Sequence, residues 1–295
     1  REAPVFILRH EQTETIPGGA ANCAINLASL GASVSLISVI GNDETGLILR
    51  DRLTKSGVDC EGVVISEKLK TVRKLRVLAG QVHSPRQQVI RIDYENEPAA
   101  DENLSAAILA HAKTKTAMSD AVIISDYNYG VASAEVTAAI REGVKQSTPI
   151  VVDSRSRLTS FGGCTSATPN EEEVDQLLGR ISNDERDLAI AAEQLRQKLS
   201  FQALLVTRGS HGMLLLEQQA APLSLEAVGA SDPVDVTGAG DTVIATYALA
   251  VASGASYADA ARLANYAAGL VVMKRGTASV NPEELANWIR QANNV

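Results

Sequence analysis

Aromatic residues are scarce in this chain: one Trp, three Phe and six Tyr among 295 residues. A core built with so few rings relies on aliphatic side chains and on alanine, which suits helices packed closely on a sheet. There are only three cysteines, Cys23, Cys60 and Cys164, and no CxxC pair. That excludes a disulfide framework and a cysteine-based zinc site, and leaves reduced thiols in a cytoplasmic protein as the expectation. No apolar run approaches the ~20 residues of a membrane span, and no secretory leader is visible. Positive charge is not in excess: the net charge is -8. A nucleic-acid or anionic-membrane surface would want a basic face, so neither partner is expected. Neither GxxxxGK[ST] nor GxGxxG occurs, so the P-loop and the dinucleotide fingerprint are both missing.

What is present is an alternation of strand-like and helix-like segments. Ala20–Leu30 is small and apolar and stops at Gly31, a helix with a glycine end. Val34–Ile40 is a β-branched run, and Thr45–Ser56 returns to helical spacing. Ala121–Ser125, Ile150–Val152 and Ala203–Thr207 are short strands separated by helix-length stretches. Asp241–Ser253, Tyr257–Met273 and Pro282–Asn293 read as helices. The pattern predicts an α/β fold, a doubly wound, mainly parallel sheet with helices on both faces. Thr71–Leu78 and Gln88–Tyr94 break the rhythm by alternating charged and apolar residues. They predict two half-exposed strands, with Val5–Leu8 as a third candidate. Together these give a small β-sheet lid from strands near 4–16 and 70–97, within a single domain spanning 1–295. A plain solvated hairpin is the alternative.

The chemistry concentrates in Asp235-Val236-Thr237-Gly238-Ala239-Gly240-Asp241, a small-residue loop running into an apolar helix. Gly238, Ala239 and Gly240 let backbone N–H groups approach a ligand closely. The helix start adds unpaired donors and partial positive charge, which suits a phosphate. Asp241 at the mouth of such an anion site has two readings. It can cap the helix, or it can act as a general base toward an attacking hydroxyl. Near the start, Pro17-Gly18-Gly19-Ala20-Ala21-Asn22 opens another helix. Gly18 and Gly19 suggest close approach to a polar ligand, and Asn22 offers both donor and acceptor to a sugar hydroxyl. Read alone, that glycine turn is equally explained by packing.

The GGAAN segment and DVTGAGDT, in this order and at this separation, resemble the two diagnostic motifs of the ribokinase-like carbohydrate kinases, over essentially the whole chain. The resemblance implies ATP-dependent phosphorylation of a sugar hydroxyl, with Asp241 as base and the 238–240 amides as anion hole. It implies that Asn170 and Glu173, in an NxxE pattern, hold Mg²⁺ largely through water, a role an amide and a carboxylate suit. It gives Thr207, Arg208, Gly209 and Gly212 to a TxGxxG loop beside the nucleotide, and places Asn265 beside adenine. Asp235 and Thr237 match positions that take a monovalent cation, K⁺, in many members.

Within the family, PGGAANCAINLASLGA, KLRVL, QQVIRIDYE, SDYNYG, LVTRGSHGM and KRGTASV resemble the kinase domain acting on D-glycero-β-D-manno-heptose 7-phosphate at O1. Tyr129 stands where that likeness has a lysine, and Ser154-Arg155 where it has proline and lysine. Lys74, Arg76, Arg91 and Arg155 are then candidate partners of a substrate phosphate, and Asp126 of the sugar. The family's opening strand has no counterpart in this sequence. Another sugar, such as fructose, fructose phosphate, ribose or a nucleoside, remains open as substrate, as does a non-catalytic sugar or nucleotide sensor. Homodimerisation through the lid is a further implication.

Overall fold

The computed structural model describes residues 7–80, 87–95, 101–229 and 233–292. Helices α1 (Ala20–Ser29) and α2 (Glu44–Lys55) flank β1 (Ser38–Gly41), which pairs in parallel with β2 (Val63–Ser66). The hairpin β3 (Arg73–Ala79) and β4 (Gln87–Tyr94) follows, then α3 (Glu102–Thr116). Strands β5 (Val122–Asp126), β6 (Ile150–Ser154), β7 (Ser166–Ala167) and β8 (Ala203–Thr207) alternate with α4 (Ala134–Gly143), α5 (Glu171–Leu178) and α6 (Glu185–Lys198). β9 (Met213–Glu217), β10 (Leu223–Leu225) and helices α7 (Ala239–Ala252), α8 (Tyr257–Val271) and α9 (Pro282–Ala292) complete the chain.

The main sheet has six strands in the order β10-β9-β8-β7-β6-β5. β5 to β8 are parallel, whereas β9 and β10 run antiparallel at one edge. Strand alternation sends successive side chains to opposite faces. Ile150, Val152, Leu204, Val206, Leu214 and Leu216 therefore join one core with residues of α3 to α6. Val151, Ala203, Leu205, Met213 and Leu215 join the other, with α7 and α8. The doubly wound expectation holds, and it follows from this two-sided burial of near-continuous apolar strands.

Three details differ from the sequence reading. The antiparallel edge is new: Gly212 turns the chain straight back on β8, so no crossover helix intervenes. β1 and β2 form their own parallel pair, and among the described residues no strand joins them to the main sheet. Ile37, Val39 and Val64 still pack on its first core. Among the described residues the lid is the hairpin of β3 and β4, and the described part of the third candidate, 7–16, forms no strand. Residues 4–6 of that candidate and most of the loop 79–86 lie outside the described residues.

Candidate active site

Helix starts separate the site from the rest of the fold. α2, α3, α4, α5, α6 and α8 each begin on a capping side chain: Asp43, Asp101, Ser133, Asn170, Asp184 and Ser256. α1 and α7 begin on Gly19 and Gly238, and no side chain caps either. Neither start has a side-chain cap on its first-turn N–H groups; in α7 the Ala239 N–H donates to the Val236 carbonyl at 3.2 Å, which leaves those of Gly238 and Gly240 for something else. These are the two helices opened by the glycine motifs. Gly238 has φ 83°, and a Cβ there would meet Asn22 Nδ2 at 2.6 Å. The two motifs touch each other, and glycine is required for the contact. A Cβ at Gly240 or Gly18 would meet nothing within 4 Å.

Asp241 sits in the first turn of α7 and is only 7% exposed. Its carboxylate does not cap the helix. Asn22 Nδ2 donates to Oδ2 at 2.8 Å, and the Tyr127 hydroxyl donates to Oδ1 at 3.0 Å. The cap reading therefore fails on geometry. Asn22 is itself held: Asn26 Nδ2 donates to its main-chain oxygen at 3.0 Å and to its Oδ1 at 3.2 Å. Thr242 in turn donates to Asn26 Oδ1 at 3.1 Å. With Oδ1 of Asn22 accepting, its NH₂ faces Asp241. Burial pushes the Asp241 carboxyl above its ordinary value, against the opposing pull of Asn22, Tyr127 and Arg155.

The C-terminal ends of the parallel strands supply the rest, as doubly wound sheets do. Asp153 ends β6 with its pKa pushed up to about 7, first by burial and then by the carboxylates of Glu173, Asp241 and Asp126, with Arg155 opposing. Asp153 thus lies among the Asn170–Glu173 segment and Asp241, which share one acidic region. Asn170 and Glu173 form a reciprocal capping box: Asn170 Oδ1 accepts from Glu173 N–H at 2.8 Å, and Glu173 Oε2 accepts from Asn170 N–H at 2.9 Å. The capping and ligand readings of this pair coexist, since Glu173 Oε1 is outside the box. Burial raises the Glu173 pKa. Thr207 pairs in parallel with Asn170, which sets the TxGxxG loop beside the NxxE segment. Gly212 has φ 84°, and a Cβ there would lie 2.0 Å from the Leu225 carbonyl oxygen. Gly209 has φ 53°. Arg208 is tied by ion pairs to Glu171 and Glu185.

Several expected ligand contacts are already used within the protein. Asp126 is buried, and its carboxylate accepts from Arg157, Ser154 and the Asn128 N–H. It anchors a loop and has little left for a sugar. Lys74 pairs with Asp93 and Glu95, and Arg91 with Asp93, on the exposed hairpin. Against the upward push of burial, the positive charge of Arg76 helps hold the Asp235 carboxyl below its ordinary value. Asp235 accepts from the N–H groups of Thr237 at 2.9 Å and Gly276 at 3.0 Å. Each carboxylate oxygen of Asp235 thus holds one backbone donor and keeps a lone pair. Asn265 Nδ2 donates to the Glu226 carbonyl at 2.6 Å, stitching α8 to the segment after β10. Sequence reading missed the role of Tyr127, which lies next to Asp126 in a segment with no glycine motif.

The architecture and this cluster agree with what residues 3–284 match: the pfkB family of carbohydrate kinases. The chain belongs to the pfkB carbohydrate kinase family. Like the rest of that family it is a phosphotransferase acting on an alcohol group. It is 40% identical over 291 residues to a protein of Coxiella burnetii named "Bifunctional protein HldE", covering 98% of this chain and 59% of that one. A protein of the same name from Nitrosococcus oceani is 42% identical over 289 residues, covering 96% and 58%. The chain thus spans somewhat more than half the length of these relatives. Among solved structures, ribokinase of Arabidopsis thaliana with ribose and ATP superposes with a TM-score of 0.72 at 22% identity, covering 92% of this chain and 86% of that one. Phosphofructokinase-2 of Escherichia coli with potassium gives 0.76 at 19%, covering 98% and 94%. Both likenesses show the ribokinase-like fold. Among the described residues no helix is long and apolar enough to cross a membrane.

Proposed function

We propose that this chain transfers the γ-phosphoryl group of ATP to O1 of D-glycero-β-D-manno-heptose 7-phosphate. The observation that carries the mechanism is the pairing of an uncapped α7 start with a buried Asp241 turned away from it. The amides of Gly238 and Gly240 receive the phosphoryl oxygens, whereas the Ala239 N–H of the expected anion hole is held by the Val236 carbonyl. Asp241, ionised, takes the proton of the attacking hydroxyl, a contribution of ~10²–10⁴-fold in rate. Gly18, Gly19 and Asn22 line the sugar side, and Arg155 offsets charge near the acidic region. The nucleotide lies along the TxGxxG loop at Thr207–Gly212, with Asn265 at its far end.

A divalent cation, Mg²⁺ by the chemistry of the donors, fits beside Asn170 and Glu173. Glu173 keeps one carboxylate oxygen outside the capping box, and the clustering of Asp153 with Glu173 is the sort of negative charge a hydrated cation offsets. Bound there, the cation would neutralise phosphate charge. Residues of the chain do the positioning.

The heptose choice rests on the segments resembling that kinase and on the likeness to the proteins named HldE. One observation favours another sugar. Lys74 and Arg91 are neutralised by Asp93 and Glu95, and Tyr129 donates to Glu95 where the heptose likeness has a lysine. ADP release over a panel of heptose 7-phosphate, fructose 6-phosphate, fructose, ribose and adenosine decides between them. Preference for one sugar, abolished in Asp241→Asn, supports the mechanism and names the acceptor. Full activity in Asp241→Asn overturns it. The lid leaves Leu78, Val89, Ile90 and Ile92 exposed, which supports pairing of two lids in a homodimer.

A further inference from the structure

Tyr127 is half-buried and is met by Gly19, Arg155 and Asp241. It follows β5 in a turn whose next residue, Asn128, has φ 63°. That turn is held by Asp126: Oδ1 accepts the Asn128 N–H at 3.1 Å, and Arg157 Nη2 donates to the same oxygen at 2.6 Å. Ser154 donates to Oδ2 at 2.8 Å. Gly19 abuts the ring, so that a Cβ at 19 would stand 3.1 Å from Tyr127 Cε2. The Arg155 guanidinium lies over the ring, 5.0 Å from its centroid. So fixed, the hydroxyl reaches Asp241 Oδ1 at 3.0 Å.

The carboxylate of Asp241 has about four lone-pair directions. Asn22 takes one on Oδ2 and Tyr127 one on Oδ1. Together the two donors stop the carboxylate rotating and leave a defined lone pair on each oxygen. We propose that Tyr127 is a positioning residue for phosphoryl transfer: its hydroxyl locks the Asp241 carboxylate in the rotation that aims it at the acceptor hydroxyl. This deepens the kinase reading above and rests on it. Asp126, Ser154 and Arg157 are then the support of that residue, which gives a use to a buried cluster with no other part in the site. Gly19 serves it too, since any larger residue would displace the ring.

The charged and titratable groups facing Asp241 are Tyr127, Arg155 after β6, Asp153 at the end of β6 and Cys23 on α1. A donor to the ionised carboxylate favours that form, so removing it moves the Asp241 titration to higher pH.

The test is Tyr127→Phe, which keeps the ring, its contact with Gly19 and its place under Arg155. In ADP release with the sugar that wild type prefers, kcat should fall about tenfold while KM for the sugar stays within about twofold. The acid limb of the rate profile should move to higher pH. An equal rate with an unmoved acid limb overturns the proposal. So does a loss confined to KM, which would make Tyr127 a simple sugar contact. A second readout needs no turnover: the titration of Asp241 followed by carbon NMR of labelled aspartate, the resonance assigned by its loss in Asp241→Asn. A rise in its midpoint in Tyr127→Phe supports the proposal, and no change overturns it. Should wild type phosphorylate none of the sugars, the kinase reading fails by itself, and the titration still decides whether Tyr127 governs Asp241.

Discussion

Gly240→Ala separates a catalytic demand for glycine from a structural one. Gly240 lies in the first turn of α7, its φ is not positive, and a Cβ there would meet nothing within 4 Å. The fold therefore has no objection to a methyl group. Replacing a helical glycine by alanine removes backbone freedom from the unfolded chain and should raise stability by about 0.5–1 kcal/mol, less at so early a position. If a phosphoryl group rests on the Gly238 and Gly240 amides, however, that methyl stands where its oxygens come closest. A displacement of about 1 Å costs roughly 10²-fold in rate, or about 2.7 kcal/mol of transition-state stabilisation. Stability and activity should move in opposite directions in one variant. Urea unfolding followed by circular dichroism gives the first quantity, and steady-state ADP release the second. A stable Gly240→Ala protein with wild-type kcat and wild-type KM for ATP would refute the placement of the phosphoryl group on this loop.

Gly238→Ala should behave differently, since left-handed backbone costs about 1–2 kcal/mol for a non-glycine residue and its Cβ would strike Asn22; both the urea midpoint and kcat should fall. Arg157→Met leaves the buried Asp126 carboxylate without its main partner. About 2–4 kcal/mol of stability should go, less than for a fully buried pair because Arg157 is partly exposed, and a thermal melt reads it. Asp153 binds a proton in the folded protein up to about pH 7, whereas an unfolded aspartate releases it near pH 3.9. Its contribution to stability is therefore full below about pH 4 and fades as pH rises through about 7. Melts of metal-free protein from pH 5 to 8 should show that decline, and Asp153→Asn should flatten it. If lids pair, sedimentation velocity should report a dimer that Ile90→Lys and Ile92→Lys together convert to monomer.

Much of this site is local in the sequence and could be read there. The uncapped starts of α1 and α7 announce themselves as glycines where the other helices carry Asp, Asn or Ser, and that signal needs no third dimension. Two kinds of feature were not legible. Tyr127, Arg155 and Arg157 come from separate loops after β5 and β6, and only the sheet brings them to Asp241 and Asp126. No spacing marks them. Charge pairing was the other. Lys74 and Arg91 look like free cations in a linear reading, yet antiparallel pairing sets Asp93 opposite Lys74. The sequence does not mark that register, which shifts between Val77 and Leu78. The third lid strand, Val5–Leu8, falls in part outside the described residues; for any such short run, pairing of the kind β3 and β4 find in each other decides whether it becomes a strand.

The bare starts of α1 and α7 also bound how far this protein can be hardened. A side-chain cap adds about 1 kcal/mol to a helix, and seven helices here take that gain, α9 through Asn281 included. Engineering for heat tolerance would reach first for the two that do not. Those are the positions where a serine or aspartate would compete with the ligand for the same N–H groups, so each increment of resilience gained there would be lost in turnover. Selection for stability has open ground across the rest of the surface, and at these two helix ends it meets selection for chemistry head on.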